Sequence, residues 1–153
     1  MEAVLWTWLF IQAYKYLHKK KIMHRDIKPA NILFHEIKKG IYEFRFADFG
    51  LSKSVLTDSS RTLGKGTPLY MAPEQKLKGD KAYSNKVDVY PIGLIMFEML
   101  IGKNPEKADC FEFPEGIINQ KIKNQLEENG ISKILIEFIL KCIEKNPSQR
   151  YSW

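Results

Sequence analysis

Between Lys86 and Leu100 the chain reads KVDVYPIGLIMFEML, with Val87, Val89, Ile92, Leu94, Ile95, Met96, Phe97, Met99 and Leu100 distributed nearly all round a helical repeat. A helix with a single apolar stripe lies on a surface, whereas one that is apolar on most sides has to be enclosed. The stretch is therefore expected to be the central buried helix of the fold, with Gly102 as its C-terminal stop. Enclosing it takes a domain-sized supply of apolar side chains. The 153 residues, 44% hydrophobic and 12% aromatic, supply one core and argue against disorder over most of the chain.

Other elements group around that helix. From Val4 to Leu17 the residues Val4, Leu5, Trp8, Leu9, Ile11, Tyr16 and Leu17 partly follow a helical repeat, which predicts a largely buried helix ending near Lys19, Lys20 and Lys21. The HRDIKPAN segment that follows Ile22 and Met23 reads as a loop, because Pro29 forbids a regular helix interior and biases Lys28 toward an extended backbone. Residues 31–34 and 43–47 are short β-prone runs around Gly40 and predict a small hairpin. Residues 51–70 are rich in Ser, Thr, Gly and Lys with little periodicity, a kind of long connection that is usually functional. Helices are expected at 117–127 and 132–144, the second with Ser132 as N-cap and ending before Asn146 and Pro147. Neither an internal repeat nor an interdomain linker is visible.

Lys plus Arg number 24 against 18 Asp plus Glu, a net charge of +6 that suits phosphate-bearing or acidic partners without naming one. The densest basic run, Lys19 to Lys21, reads as a solvated helix end ahead of a nucleic-acid patch. Cys110 and Cys142 are far apart and in no C-x-x-C arrangement, so neither a zinc site nor a disulfide framework is indicated. A reducing setting fits best, cytoplasmic or nuclear. The opening MEAVLWTWLFIQAYKYLH lacks the basic start and cleavage site of a signal peptide and is too short to span a membrane.

HRDIKPAN at 24–31 resembles the catalytic loop of eukaryotic protein kinases, and two further motifs of that family follow in order, Asp48-Phe49-Gly50 and Ala72-Pro73-Glu74. At about one in twenty per fixed position, chance does not produce the three together. The resemblance covers about Ile11 to Arg150 and implies an α+β fold. That fold is the mostly helical C-terminal lobe of a kinase, with a small β-hairpin at the catalytic loop. Lys28 and the GTPLY stretch resemble the serine/threonine branch. A weaker likeness, in GTPLYMAPEQ and YSNKVDVYPIGLIMFEML, points to kinases of a translation initiation factor.

The family chemistry explains the residue types. Asp26 is the carboxylate that accepts or orients the proton of a substrate hydroxyl as it attacks the γ-phosphate. Lys28 neutralises charge on the transferred group, and Asn31 and Asp48 offer hard oxygen ligands to Mg²⁺ bridging the phosphates of ATP. Gly50 is expected to permit the turn that lets Asp48 project. Thr67 would contact Asp26 and Lys28 and seat the substrate hydroxyl. Arg25 is the usual partner of a phosphorylated activation loop, for which Thr62 is the first candidate with Ser59 and Ser60 behind it. An ordinary loop threonine fits the same residue. By resemblance His24 and Phe49 pack in the core beneath the site, Asp88 holds the loop backbone, and Glu74 pairs with Arg150. His18 and His35 read as structural or exposed. One departure is Pro91, where the family has a small polar residue. Interior proline costs about 3 kcal/mol, so the helix start or the local geometry is expected to differ.

The resemblance also exposes gaps. The glycine-rich loop, the strand lysine and its helix glutamate are not found, and the lone G-x-G, Gly64 to Gly66, has Leu69 where the pattern needs a third glycine. Residues 1–153 are thus read as a partial kinase domain, the C-terminal lobe without the N-terminal lobe. Such a chain is expected to bind nucleotide weakly and to transfer phosphate negligibly by itself. The activity expected of the family is Mg²⁺-dependent transfer from ATP to Ser or Thr of a protein substrate, with neither nucleic acid nor membrane as partner. The alternatives are a non-catalytic kinase-like docking module and, on net charge alone, a nucleic-acid-binding domain.

Overall fold

The helix expected at the centre spans Lys86–Ile101 (α3), and every residue from Val87 to Phe97 is buried. In this computed structural model residues 2–51, 53–54, 69–76, 84–103 and 117–153 are described. Gly102 closes α3 in the left-handed conformation, φ 74°, where a β-carbon would be strained, and its N–H donates to the Glu98 carbonyl at 2.8 Å. Pro91 is accommodated within the helix. It sits as the sixth residue of α3, inside the helix and past its first turn.

Around α3 lie α1 (Glu2–Lys19), α4 (Ile117–Glu128) and α5 (Lys133–Cys142), with a short α2 (Pro73–Lys76) ahead of it. Helix α1 buries a different stripe from the one its apolar residues suggested. Thr7, Phe10, Tyr14 and Leu17, spaced three and four apart, face the core, whereas Trp8 and Tyr16 are 58% and 62% exposed and Val4 and Leu5 are also open. Aromatic and aliphatic residues occur on both sides of this helix, so hydrophobicity alone did not select the buried side. Helices α4 and α5 bury Ile122 and Leu126, and Ile136, Ile139 and Cys142, one face each. The Ser132 backbone, φ −61° and ψ 143°, is extended as at an N-cap, and its carbonyl accepts the N–H groups of Leu135 and Ile136; its hydroxyl makes no cap bond.

Gly93 sets the approach of α3 to α5. A β-carbon there would lie 2.7 Å from Ile143 Cγ2, 2.8 Å from Cys142 Cβ and 3.1 Å from the Ile139 carbonyl. Gly93→Ala is therefore expected to destabilise the fold by about 1–3 kcal/mol, although alanine gains about 1 kcal/mol of helix propensity. Urea unfolding of the two chains checks the sign.

Strands β1 (Ile22–Met23), β2 (Ile32–Lys38), β3 (Ile41–Phe46) and β4 (Lys53–Ser54) form two antiparallel pairs, β1 with β4 and β2 with β3. The β2–β3 hairpin pairs Ile32 with Phe46 and Phe34 with Phe44, and its register breaks between Glu36 and Lys38. Its aromatic face meets α1. Trp6 packs edge-on to Phe34 and Tyr42 at 4.7 and 5.2 Å between ring centroids, and Phe10 meets Phe46 at 5.7 Å. The α+β class, mostly helical with a small hairpin, is as expected. No helix among the described residues is long and apolar enough to cross a membrane.

Candidate active site

Between β1 and β2 the chain cannot form a helix, and its backbone is instead held from below. The two carboxylate oxygens of Asp88, in the first turn of α3, accept the N–H groups of His24 and Arg25 at 2.7 Å each. This support holds Arg25 at φ 70°, a conformation that a non-glycine residue adopts only when its surroundings impose it. The His24 ring is fully buried. Its Nδ1 accepts the Asp26 N–H at 3.4 Å and its Nε2 lies 2.9 Å from the Ala47 carbonyl, so the tautomer carrying hydrogen on Nε2 satisfies both partners and joins the loop to the end of β3.

Complete burial pushes the Asp88 carboxyl from 3.8 up to about 6, against the pull of the two N–H donors and the charges of His24 and Arg25. Because the folded value lies above the unfolded one, the contribution of Asp88 to stability is full below about pH 4 and is lost as pH rises toward 6. The penalty of Asp88→Asn is accordingly expected to be larger at pH 4.5 than at pH 7. Paired urea titrations at the two pH values measure it.

The chemically loaded side chains cluster on the open side of this support. Lys28 is extended, φ −157° and ψ 160°, and its Nζ lies 2.7 Å from Asp26 Oδ2. Pro29 begins a single 3₁₀ turn, Pro29–Asn31, which turns Asn31 back toward Asp26. The Asn31 amide Nδ2 donates to the Asp26 carbonyl at 2.9 Å and to Asp26 Oδ2 at 3.1 Å. Its Oδ1 is thereby left as an available acceptor. The Asn31 carbonyl accepts the Ala47 N–H at 2.8 Å, which draws Asp48 to the same region.

Two expectations change at Asp48-Phe49-Gly50. The strained backbone is at Asp48 itself, φ 58°, whereas Gly50 lies in a 3₁₀ turn, Phe49–Leu51. What marks position 50 is its close approach to the Asp48 side chain. Its N–H donates to Asp48 Oδ1 at 3.3 Å, and a β-carbon would stand 3.1 Å from that oxygen. Phe49 packs against His24 with ring centroids 5.0 Å apart and planes tilted by 50°, but it is 44% exposed, so it is not in the core. It lies at the rim of a groove of about 520 Å³ between α1 and β3, and no described element covers its outer face.

Arg150, fully sequestered, holds the lower part of the region together. Its Nη1 and Nη2 donate to the two Glu74 carboxylate oxygens at 2.6 and 2.7 Å. The remaining hydrogens reach the carbonyls of Glu144, Lys86 and Lys145 at 2.6, 2.8 and 3.1 Å, so all five guanidinium donors are used. Sequence reasoning missed Gln75. This buried side chain accepts the Ala72 N–H at 3.0 Å and donates to the Arg25 carbonyl at 3.1 Å, tying α2 to the loop that follows β1. Its only signal was an amide next to Glu74. Thr62, Thr67, Ser59, Ser60 and Cys110 lie outside the described residues.

The structure thus brings Asp26, Lys28 and Asn31 into one contact cluster, with Asp48 fixed to it through Ala47. A family model described as the protein kinase domain matches residues 1–153. The chain is 32% identical over 142 residues to serine/threonine-protein kinase ULK3 of Xenopus laevis, covering 92% of this chain and 30% of that protein. It is 37% identical over 154 residues to mitogen-activated protein kinase kinase kinase 3 of Arabidopsis thaliana, covering 97% and 23%. To serine/threonine-protein kinase 36 of Pongo abelii it is 34% identical, covering 94% and 10%. The chain therefore spans less than a third of these relatives' lengths. In fold it matches a chain of the crystal structure of the yeast RNA Pol II CTD kinase CTDK-1 complex, with a TM-score of 0.73 at 19% identity, covering 94% of this chain and 56% of that one. At such identity the likeness concerns the fold alone. With the family model matching throughout and relatives named as serine/threonine kinases, the chain belongs to the protein kinase family, in its serine/threonine branch.

Proposed function

We propose that this chain carries the phosphoryl-transfer side of a kinase active site, which moves the γ-phosphoryl group of ATP to Ser or Thr hydroxyls of a protein substrate. The supporting observation is the contact cluster of Asp26, Lys28 and Asn31 on a loop whose backbone is pinned by Asp88. Asp26 is held within reach of an incoming hydroxyl, to orient it and take its proton. Lys28, already against that carboxylate, offers its ammonium to the phosphoryl oxygens. Thr67 is assigned to seating the hydroxyl, and Thr62 to the activating phosphate facing Arg25.

The donor set suits Mg²⁺. Among the described residues no group of three or more His, Cys, Asp or Glu side chains gathers into a metal cage, and Mg²⁺ bound with nucleotide needs none, because phosphates and water complete its shell. Asn31 Oδ1 and Asp48 Oδ2 would hold it. When bound, the ion supplies charge neutralisation on the phosphates. The glycine-rich loop and strand lysine of the family are assigned to residues other than these, and the described residues by themselves are expected to bind nucleotide weakly. The finer likeness to kinases of a translation initiation factor has only the two sequence stretches behind it, and the reading stops at the serine/threonine branch.

Paramagnetic broadening tests the ligand assignment without requiring turnover. Titrating Mn²⁺ with ATP into the labelled chain is expected to broaden the amide resonances around Asn31 and Asp48 first, and Asp48→Ala should remove the effect. Uniform broadening, or broadening centred on Glu74 or Asp88, would refute the assignment.

A further inference from the structure

Beside the HRDIKPAN loop, Pro29 and the last turns of α3 border a cleft of about 250 Å³ whose walls include Phe10, Ile32, Phe44 and Met99. Among its lining residues Glu98 alone is charged, and it is half-buried. Glu98 Oε2 accepts the Tyr70 hydroxyl at 2.6 Å, and no Lys or Arg among the described residues pairs with this carboxylate. Asp26, Glu43 and Glu74, by contrast, each touch a cation. A carboxylate between apolar walls with one neutral donor is short of counter-charge. Accepting a single hydroxyl would ask only for a glutamine. The cleft is also joined to the candidate base. Pro29 follows Asp26 by three residues, and Tyr70 lines the narrow crevice that holds Asp26, Ile27 and Met71.

We propose that Glu98 sets substrate specificity by taking an arginine side chain of the acceptor peptide, at one fixed offset from the serine or threonine that meets Asp26. The assignment rests on the phosphoryl-transfer reading of the loop. Phe10, Ile32, Phe44 and Met99 offer apolar surface to the methylene stem of such a residue. Glu98 Oε1 accepts from the guanidinium while Oε2 keeps the Tyr70 hydroxyl, so the existing bond need not be given up. Arginine suits the cleft better than lysine, because its flat fork is more weakly hydrated and loses less on leaving water. The peptide supplies the counter-charge that the chain itself does not. Because this contact is made by a part of the substrate that does not react, it selects among acceptor peptides without altering the groups that carry the phosphoryl group. Glu98 is thus a specificity residue and not a catalytic one.

The test uses the polypeptide with an N-terminal lobe in place and serine peptides in which one arginine moves through successive positions on either side of the serine. Each peptide is paired with its citrulline counterpart, which keeps the shape of arginine and removes its charge. At one position kcat/KM is expected to be about tenfold or more higher for arginine, the scale of one charge-assisted hydrogen bond. In Glu98→Gln, which keeps an acceptor for Tyr70, that ratio should fall to about one. In Tyr70→Phe, which keeps the carboxylate, it should persist, whereas a purely structural Glu98–Tyr70 bond would make the two variants alike. Should Glu98→Gln fail to fold, a diazirine placed at the preferred peptide position decides in the unaltered protein, where it should cross-link to Glu98 or Met99. Phosphorylated peptides with no arginine preference, a preference that survives Glu98→Gln or is lost in Tyr70→Phe, or cross-links only outside the cleft would overturn the Glu98 assignment alone. Absence of label on every peptide would instead overturn the phosphoryl-transfer reading, and the assignment with it.

Discussion

Arg150→Met is expected to cost about 3–5 kcal/mol of unfolding free energy, the range for removing one partner of a buried ion pair. That is a large share of the roughly 5–15 kcal/mol available to a domain. The side chain is enclosed, and its five N–H groups satisfy the Glu74 carboxylate and three backbone carbonyls while its plane lies 5.1 Å over the Tyr90 ring. Methionine fills much of the volume but returns none of those bonds. The Glu74 carboxylate then stays largely covered without its guanidinium, and three carbonyls lose donors. Arg150→Lys should recover less than half of the loss, because a single ammonium cannot present a planar fork to a carboxylate and three carbonyls at once. Urea denaturation monitored by circular dichroism measures both. A loss under about 1 kcal/mol for the methionine variant would show that the fork is not what holds α2 to the helices.

Asp26→Asn is expected to lower phosphoryl transfer by about 10²–10⁴-fold in a polypeptide that also carries the ATP-clamping lobe, the range for removing a positioned general base. The substitution keeps the shape and the acceptor that Asn31 Nδ2 reaches at 3.1 Å, so the loop should keep its backbone. It removes the charge that holds Lys28 Nζ at 2.7 Å and the oxygen able to accept a proton. Because Asp88, not Asp26, secures the backbone N–H groups of His24 and Arg25, the unfolding midpoint is expected to change little. That separates chemistry from folding. The complementary change, Asp88→Asn, leaves Asp26 in place while loosening the backbone beneath it.

Much of this arrangement can be read from residue order, for identifiable reasons. Helix α3 declares itself because a segment apolar on nearly every side has one solution in water. The candidate site declares itself because Asp26, Lys28, Asn31 and Asp48 are individually chemical and jointly improbable. Where a side chain acts through the backbone, residue type carries less. Gln75 could not be singled out, since its role depends on the Arg25 carbonyl being brought to it from fifty residues away. The β1–β4 pair is too short to show a period, with only two residues in each strand. In α1 the aromatic residues occupy both faces, so the stripe through Phe10 and Tyr14 is selected by the hairpin and α3 packing against it and not by hydrophobicity. Phe49 was assigned to the core by resemblance, and it is open here because its outer face has no described neighbour. At Asp48 and Gly50 the motif was legible but the division of labour was not, because φ is a property of the folded backbone.

The central claim is that these residues form the transfer side of a serine/threonine kinase site, and transfer of labelled γ-phosphate from ATP tests it most directly. The assay is run on the polypeptide with an N-terminal lobe in place, native or grafted, using an acceptor protein that contains serine, threonine and tyrosine. The expected result is Mg²⁺-dependent label on serine or threonine and its loss in the Asp26→Asn variant at unchanged circular dichroism. A folded protein that binds Mg²⁺ and ATP yet transfers nothing, or that transfers equally well in the Asp26→Asn variant, would contradict it and favour a non-catalytic docking module.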